Sequence, residues 1–576
     1  MKPTLQIVSL LLVFVANDCL ASPPEESQDT LWHNVEGYTS TAQGLLAFSV
    51  LAVGADGKVL ATGDDSLLER YPEARRRDGH GLTLLPGLTD AHAHLYGQGL
   101  LASQVDLVGL ASLDAAVERV RDYADGHPLT PWILGRGWNQ VLWERQEFPN
   151  ARDLDAAVRD RPVWLRRIDG HAGWANTRAL ELAGIDRDTP DPVGGKIIRS
   201  SAGDATGILI DTAMNYVEQL VPPPDKRQVR DAYRLANGSL VALGLTGVHD
   251  AGVTLAEAEV LIAMAEDGEL DLRVYAMLRG AGENLDGFGE PIVAHADDRP
   301  NDRPNDLLND RLNGRLEIRA VKIYADGALG SRGAAMLEPY SDDVENRGLP
   351  FFTQDELTRM VIKANDRGFQ VAVHAIGDLG NRMVIDAFET AGSSRQSKFR
   401  NRIEHVQIVA LEDIQRIADL GLIASVQPIH ATSDMNMAED RVGPERIQGG
   451  YAWRRLLDAG AVIASGSDFP VELPNPFFGL HAAVTRQSRD EQPADGWYAD
   501  QALSREEALH SFTLAAAYAA HQEDRLGSLE PGKWADFIII DRNYFEIPAN
   551  QIDDIVVLET WIGGKRVFRQ GRLNDE

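Results

Sequence analysis

The stretch Leu85-Pro86-Gly87-Leu88-Thr89-Asp90-Ala91-His92-Ala93-His94 decides how the rest of the chain is read. An apolar run closes on two histidines at spacing two. Side chains alternate across a strand, so both imidazoles leave one face and can reach one ion. A lone HxH arises by chance in any long chain, so the reading needs partners. Lys322, His374, His405 and Asp468 each stand near the C-terminal end of a short apolar run further along. With His92 and His94 they point to a metal centre.

Working outward, strand-like and helix-like segments alternate through the middle of the chain, which implies a mainly parallel sheet with helical crossovers. Candidate strands cover 84–93, 162–169, 245–250, 272–278, 318–325, 370–375, 402–406, 422–427 and 462–467. In a (β/α)8 barrel the C-terminal strand ends converge on one mouth, so ligands hundreds of positions apart can share a centre. Nine candidates are one too many, and the sequence leaves open which of the second to fourth lies outside. Short β runs broken by Gly-Asp turns at 39–83 return in texture at 535–567, so the two ends are expected to pair. The expected fold is α/β, a (β/α)8 TIM-like barrel with a small β-sandwich domain built from both chain ends. The expected segments are 22–85 and 525–576 for the β domain, and 86–524 for the barrel, with an insertion spanning 101–240.

Composition narrows the function. The chain has 576 residues and a formal charge of −31, which argues against a basic surface for nucleic acid or anionic membrane. Lys2, the apolar segment 7–16 and Cys19-Leu20-Ala21 read as an export signal over 1–21, giving a periplasmic or extracellular protein. Cys19 is the single cysteine, so the mature protein is expected to lack disulfides, a thiol nucleophile and thiolate ligands. Imidazole and oxygen donors then favour zinc, manganese or iron. A four-residue tandem rich in Asp, Asn and Pro at 298–313 reads as a solvated loop.

At this point the chain resembles the metal-dependent amidohydrolase superfamily, within it amidohydrolase family 3, the branch of N-substituted formamide deformylase and the YtcJ-like proteins. The stretch 85–94 carries the likeness together with Gly135-Arg136-Gly137-Trp138, Arg166-Arg167-Ile168-Asp169-Gly170-His171-Ala172, Val321-Lys322 through Asp326-Gly327, Val373-His374-Ala375-Ile376-Gly377-Asp378, Arg402-Ile403-Glu404-His405 and Gly466-Ser467-Asp468-Phe469-Pro470. A late Gly527-Ser528-Leu529-Glu530-Pro531-Gly532-Lys533-Trp534-Ala535-Asp536 also matches. The Asp/Asn tandem and the export signal depart from the pattern.

The resemblance implies two divalent ions, with zinc the first candidate: His92, His94 and Asp468 on one, His374 and His405 on the other, and Lys322 bridging as an N-carboxylated side chain. A free ammonium beside cations would be repelled, so Lys322 must be neutral, carboxylated or turned away. The rival arrangement pairs Lys322 with Asp326 or another carboxylate beside a one-metal site. The implied reaction is hydrolysis of an amide or N-formyl carbon–nitrogen bond in a small molecule by metal-activated hydroxide, with Asp468 as general base. Alternatives are a mononuclear deaminase or cyclic-amide hydrolase on the same barrel, and an inactive exported binding protein. Trp138, His171, Arg332 and Gln427 are substrate-binding candidates, with core or loop packing as the rival role for Trp138 and His171. His249 reads as supporting or structural, while His430, His481, His510 and His521 read as non-catalytic. Homodimer formation stays open.

Overall fold

The computed structural model describes residues 28–571 except 103, 146, 169, 171, 193, 194, 294–311 and 313. The expected export signal with Cys19, the candidate His171 and nearly all of the Asp/Asn tandem lie outside the described residues. Among the described residues, no helix is long and apolar enough to cross a membrane.

Eight parallel strands form the central sheet: β1 (Leu88–Ala93), β2 (Leu245–Val253), β3 (Arg273–Arg279), β4 (Leu316–Tyr324), β5 (Gln370–Ala375), β6 (Arg402–His405), β7 (Ile423–Val426) and β8 (Val462–Ser465). Each pairs with the next in chain order. They are covered on both faces, which is why they read as near-continuous apolar runs; all nine residues of β2 are buried. The circle closes between β8 and β1 through the turn that follows β8. Ser467 donates its N–H and Oγ–H to Asp90 Oδ2 at 3.0 and 2.6 Å, and Asp468 donates its N–H to the His92 carbonyl at 2.7 Å. Gly466 is required there, because a Cβ would lie 2.4 Å from Asp90 Oδ1 and 2.5 Å from His92 N.

The ninth candidate strand is the second, 162–169. Its ordered part, Val163–Arg167, belongs to a six-stranded sheet inserted between β1 and β2. It pairs in parallel with Ile133–Trp138 and antiparallel with Ala172–Ala175. This sheet has its own apolar core, in which Trp138, Trp143 and Trp174 meet at ring distances of 6.1 to 6.4 Å.

The chain ends pair. Glu36–Thr41, Gly44–Phe48 and Thr83–Pro86 join Phe537–Ile540, Val557–Ile562 and Lys565–Arg569 in one sheet. A four-stranded sheet within 30–78 packs on it, Trp32 meeting Phe537 and Trp561 edge-on at 5.7 and 5.2 Å. A buried ion pair, Arg273 to Asp536 at 2.6 Å, ties this sandwich to the start of β3.

Candidate metal centre

The C-terminal ends of β1, β4, β5 and β6, with the turn after β8, bring all six expected ligand residues to one mouth. His94 Nε2 lies 3.1 Å and His92 Nε2 3.6 Å from Asp468 Oδ1. Lys322 Nζ is 3.1 Å from His92 Nε2. The His405 ring stands 4.8 Å from His92 and 4.5 Å from His374. Donors on one tetrahedral zinc, with bonds of about 2.0–2.1 Å, sit about 3.3 Å apart, so the His92, His94 and Asp468 spacings suit a shared cation.

A seventh residue joins them. His430, set aside from the sequence as non-catalytic, has its Nε2 3.9 Å from Asp468 Oδ2 and its ring 5.9 Å from His405. Two donor groups therefore share Asp468: His92 with His94, and His405 with His430. The signal was available, because His430 follows β7 at the same mouth as the other candidates. The donor set fits a metal: His374 Nε2 and His430 Nε2 are buried without a hydrogen-bond partner among the described residues.

Electrostatics prepare these donors. Burial, with the Lys322 charge, pushes His92 down to about 4 and His374 down to about 3. Burial also holds His405 well below the ordinary imidazole value. All three are neutral near pH 7, the form that ligates. Burial pushes the Lys322 ammonium down to about 8, against the pull of Glu404 and Asp468. For Asp468, burial works upward, but the His94 hydrogen bond and the neighbouring imidazoles outweigh it and hold the carboxyl well below its usual range.

Beneath the mouth lies a buried polar network that the sequence did not reveal. His92 Nδ1 meets Glu404 Oε2 at 2.5 Å, an arrangement in which Nδ1 carries the proton and Nε2 keeps its lone pair. Arg402 donates to both Glu404 oxygens, to Ala91 O, to Ser425 Oγ and to His249 Nδ1. His249 thus supports the centre from below. Gln427 Oε1 meets His405 Nδ1 at 2.8 Å. His405 and Asp468 both adopt left-handed backbone, φ 77° and 61°, a conformation that costs energy in residues bearing a Cβ.

The remaining expectations separate. Asp326 is not the partner of Lys322: its carboxylate accepts N–H bonds from Ala335, Ile376 and Gly377. Lys322 instead lies over the Tyr324 ring at 4.7 Å. Trp138 is packed in the core of the insertion and donates its indole N–H to Leu165 O. Its large apolar ring is satisfied there, which removes it from the substrate-binding candidates. Arg332 forms a two-pronged pair with Asp342. Gln427 buttresses a candidate ligand through Oε1, while its buried Nε2 has no hydrogen-bond partner among the described residues.

The amidohydrolase family model matches residues 77–568. YtcJ of Bacillus subtilis (strain 168) is 32% identical over 553 residues, covering 94% of this chain and 99% of that protein. N-substituted formamide deformylase of Arthrobacter pascens is 27% identical over 94% of this chain and 98% of its own length. The crystal structure of an uncharacterized metal-dependent hydrolase from Pyrococcus horikoshii OT3 superposes with a TM-score of 0.74 at 28% identity, over 90% of this chain and 99% of that one. The chain belongs to the amidohydrolase family.

Proposed function

We propose that this protein is a metal-dependent hydrolase of a non-peptide carbon–nitrogen bond in a small amide or N-formyl compound. The observation that carries the reading is the convergence of four imidazoles, those of His92, His94, His405 and His430, on one carboxylate, Asp468, at the barrel mouth. The 27% identity to N-substituted formamide deformylase over nearly full length supports the N-formyl class.

His92, His94 and Asp468 would hold one cation, and His374 and His405 a second, with Lys322 between them once carboxylated on Nζ and His430 as a further donor. Imidazole and oxygen donors favour zinc, and manganese or iron would be met by the same set. Bound there, the cations supply Lewis acidity that polarises a carbonyl and makes water nucleophilic near neutral pH. Asp468 accepts the proton of the attacking water as the water oxygen bonds to the carbonyl carbon. It then returns that proton to the nitrogen as the carbon–nitrogen bond breaks, leaving a carboxylic acid and an amine, between which the remaining water proton passes to give carboxylate and ammonium. Glu404 keeps His92 in its ligating tautomer throughout. The apolar leader read from the sequence supports a site of action outside the cytoplasm.

Metal analysis together with an amide, N-formyl and lactam hydrolysis screen tests this. The expected result is two metal ions per chain, and formate plus an amine released from an N-formyl substrate. One ion per chain with ammonia released would favour the deaminase. No hydrolysis across the panel after loading with Zn²⁺ or Mn²⁺ would remove the hydrolase reading.

A further inference from the structure

A cavity of about 690 Å³ lies between the inserted sheet and the barrel mouth. One wall is formed by Gly97, in the helix Leu95–Ala102 that follows His94, and by Pro470, two residues after Asp468. These segments touch: a Cβ on Gly97 would lie 3.2 Å from Pro470 Cδ and 3.7 Å from His94 Cβ. The opposite wall is one face of the strands Ile133–Trp138 and Val163–Arg167, presenting Leu134 and Arg136 beside Trp164 and Arg166. Volume and position suit a small ligand reaching toward the candidate metal centre.

The lining is unusual for a chain of net charge −31. Arg136, Arg166 and Arg167 all line the cavity, and Glu218 is the single carboxylate among its described lining residues. The parallel registers set Arg136 between Arg166, a like-charge neighbour, and Asp106, whose charge offsets part of that repulsion. Arg166 is relieved by Glu218 at 2.7 Å, and Arg167 is engaged by Asn139 and Gln140. Arg136 donates to the Ile168 carbonyl at 3.3 Å and makes no ion pair among the described residues. Burial and the Arg166 charge hold its pKa below the guanidinium norm. Trp164, on the same wall, has a buried indole N–H with no acceptor among the described residues. A guanidinium with no ion pair among the described residues, flanked by two further arginines at the cavity wall, describes half of an anion site.

We infer that this cavity seats a carboxylate of the substrate, with Arg136 as its principal partner. The natural substrate is then an N-acyl or N-formyl compound bearing a carboxylate, such as an N-formyl amino acid. This rests on the hydrolase reading for what the mouth does to the amide, but not for the carboxylate site itself.

The test uses the full chain as purified and two probes without a hydrolysable amide, N-methanesulfonyl-leucine and its neutral alcohol N-methanesulfonyl-leucinol, titrated calorimetrically. The carboxylate should bind at least about tenfold more tightly, the margin of one charge-assisted pair. Arg136→Gln should erase that margin, Arg136→Lys should restore part of it, and Glu218→Gln should widen it by freeing Arg166. Opposite shifts in Arg136→Gln and Glu218→Gln cannot come from misfolding. Equal affinity of the two probes for the wild type, or a margin that survives Arg136→Gln, overturns the inference. If the margin behaves as expected while the metal-loaded protein cleaves no amide, the carboxylate site stands and the hydrolase reading falls.

Discussion

Replacing Glu404 by glutamine removes one charge from a pair in which neither side chain touches solvent. Arg402 would keep its guanidinium there with neutral acceptors, Ala91 O, Ser425 Oγ and His249 Nδ1. Two unit charges about 4 Å apart attract by about 4 kcal/mol at an effective dielectric near 20. Breaking a buried pair costs about 3–5 kcal/mol, because the remaining charge stays uncompensated. The two routes agree, so Glu404→Gln is expected to lose about 3–5 kcal/mol of stability. The double variant Arg402→Met with Glu404→Gln removes both charges, and its loss should fall short of the summed single losses by about 2–3 kcal/mol. Urea unfolding of chelator-treated protein reads this free of metal linkage. Zinc competition with a chromophoric chelator reads the effect on the centre, where loosening His92 should weaken binding by about 10- to 100-fold. A Glu404→Gln protein as stable as the wild type, holding zinc as tightly, would refute the argument that the pair positions His92. Strict additivity in the double variant would refute the coupling.

Three further outcomes are expected. His430→Ala should lower the metal bound per chain, measured by elemental analysis, whereas His521→Ala, whose ring is taken up by the Phe399 carbonyl, should not. At Lys322, held at about 8, a sizeable neutral fraction can react with carbon dioxide; ¹³C-bicarbonate should give a carbamate NMR signal that Lys322→Met lacks. Glu507, bonded by Arg454 and its own helix cap, sits down at about 2 against an ordinary 4.5. The folded value is the lower one, so its contribution is full above pH 4.5 and drains away as pH falls toward 2. Because the pair is partly solvated, that contribution is about 1 kcal/mol or less. Urea midpoints should therefore fall less steeply across that window in Glu507→Gln than in the wild type, and parallel curves would count against the pair.

The barrel was legible because its strands are covered on both faces and leave continuous apolar runs. The same rule misled at 162–169. Val163-Trp164-Leu165 is buried on both sides too, in a different sheet, and periodicity does not encode which strand it pairs with. The six candidate ligand residues were legible because the barrel puts function at C-terminal strand ends. His430 obeyed that rule and was set aside, since one histidine inside a helical turn carries no local pattern. Glu404 was quoted for its motif but given no role. Its meaning depends on a partner 312 positions away, which no spacing reveals.

The strained backbone explains why the network and the centre cannot be separated. Strict alternation along β6 would turn His405 away from the side taken by Arg402 and Glu404. Its φ of 77° breaks the alternation, and the ring comes within 4.8 Å of His92. Asp468 is treated alike after β8, with φ 61°. Such residues cost about 1–3 kcal/mol each and persist only where the surroundings over-determine them. Here the surroundings are two bonds that complete the barrel, Ser467 to Asp90 and Asp468 N–H to His92 O, and the Gln427 bond that holds the His405 ring. The first two close the fold beside Asp468, and the third aims His405. The strain is therefore held by barrel closure itself, and a change that loosens β8 from β1 must scatter the donors before the sheet opens.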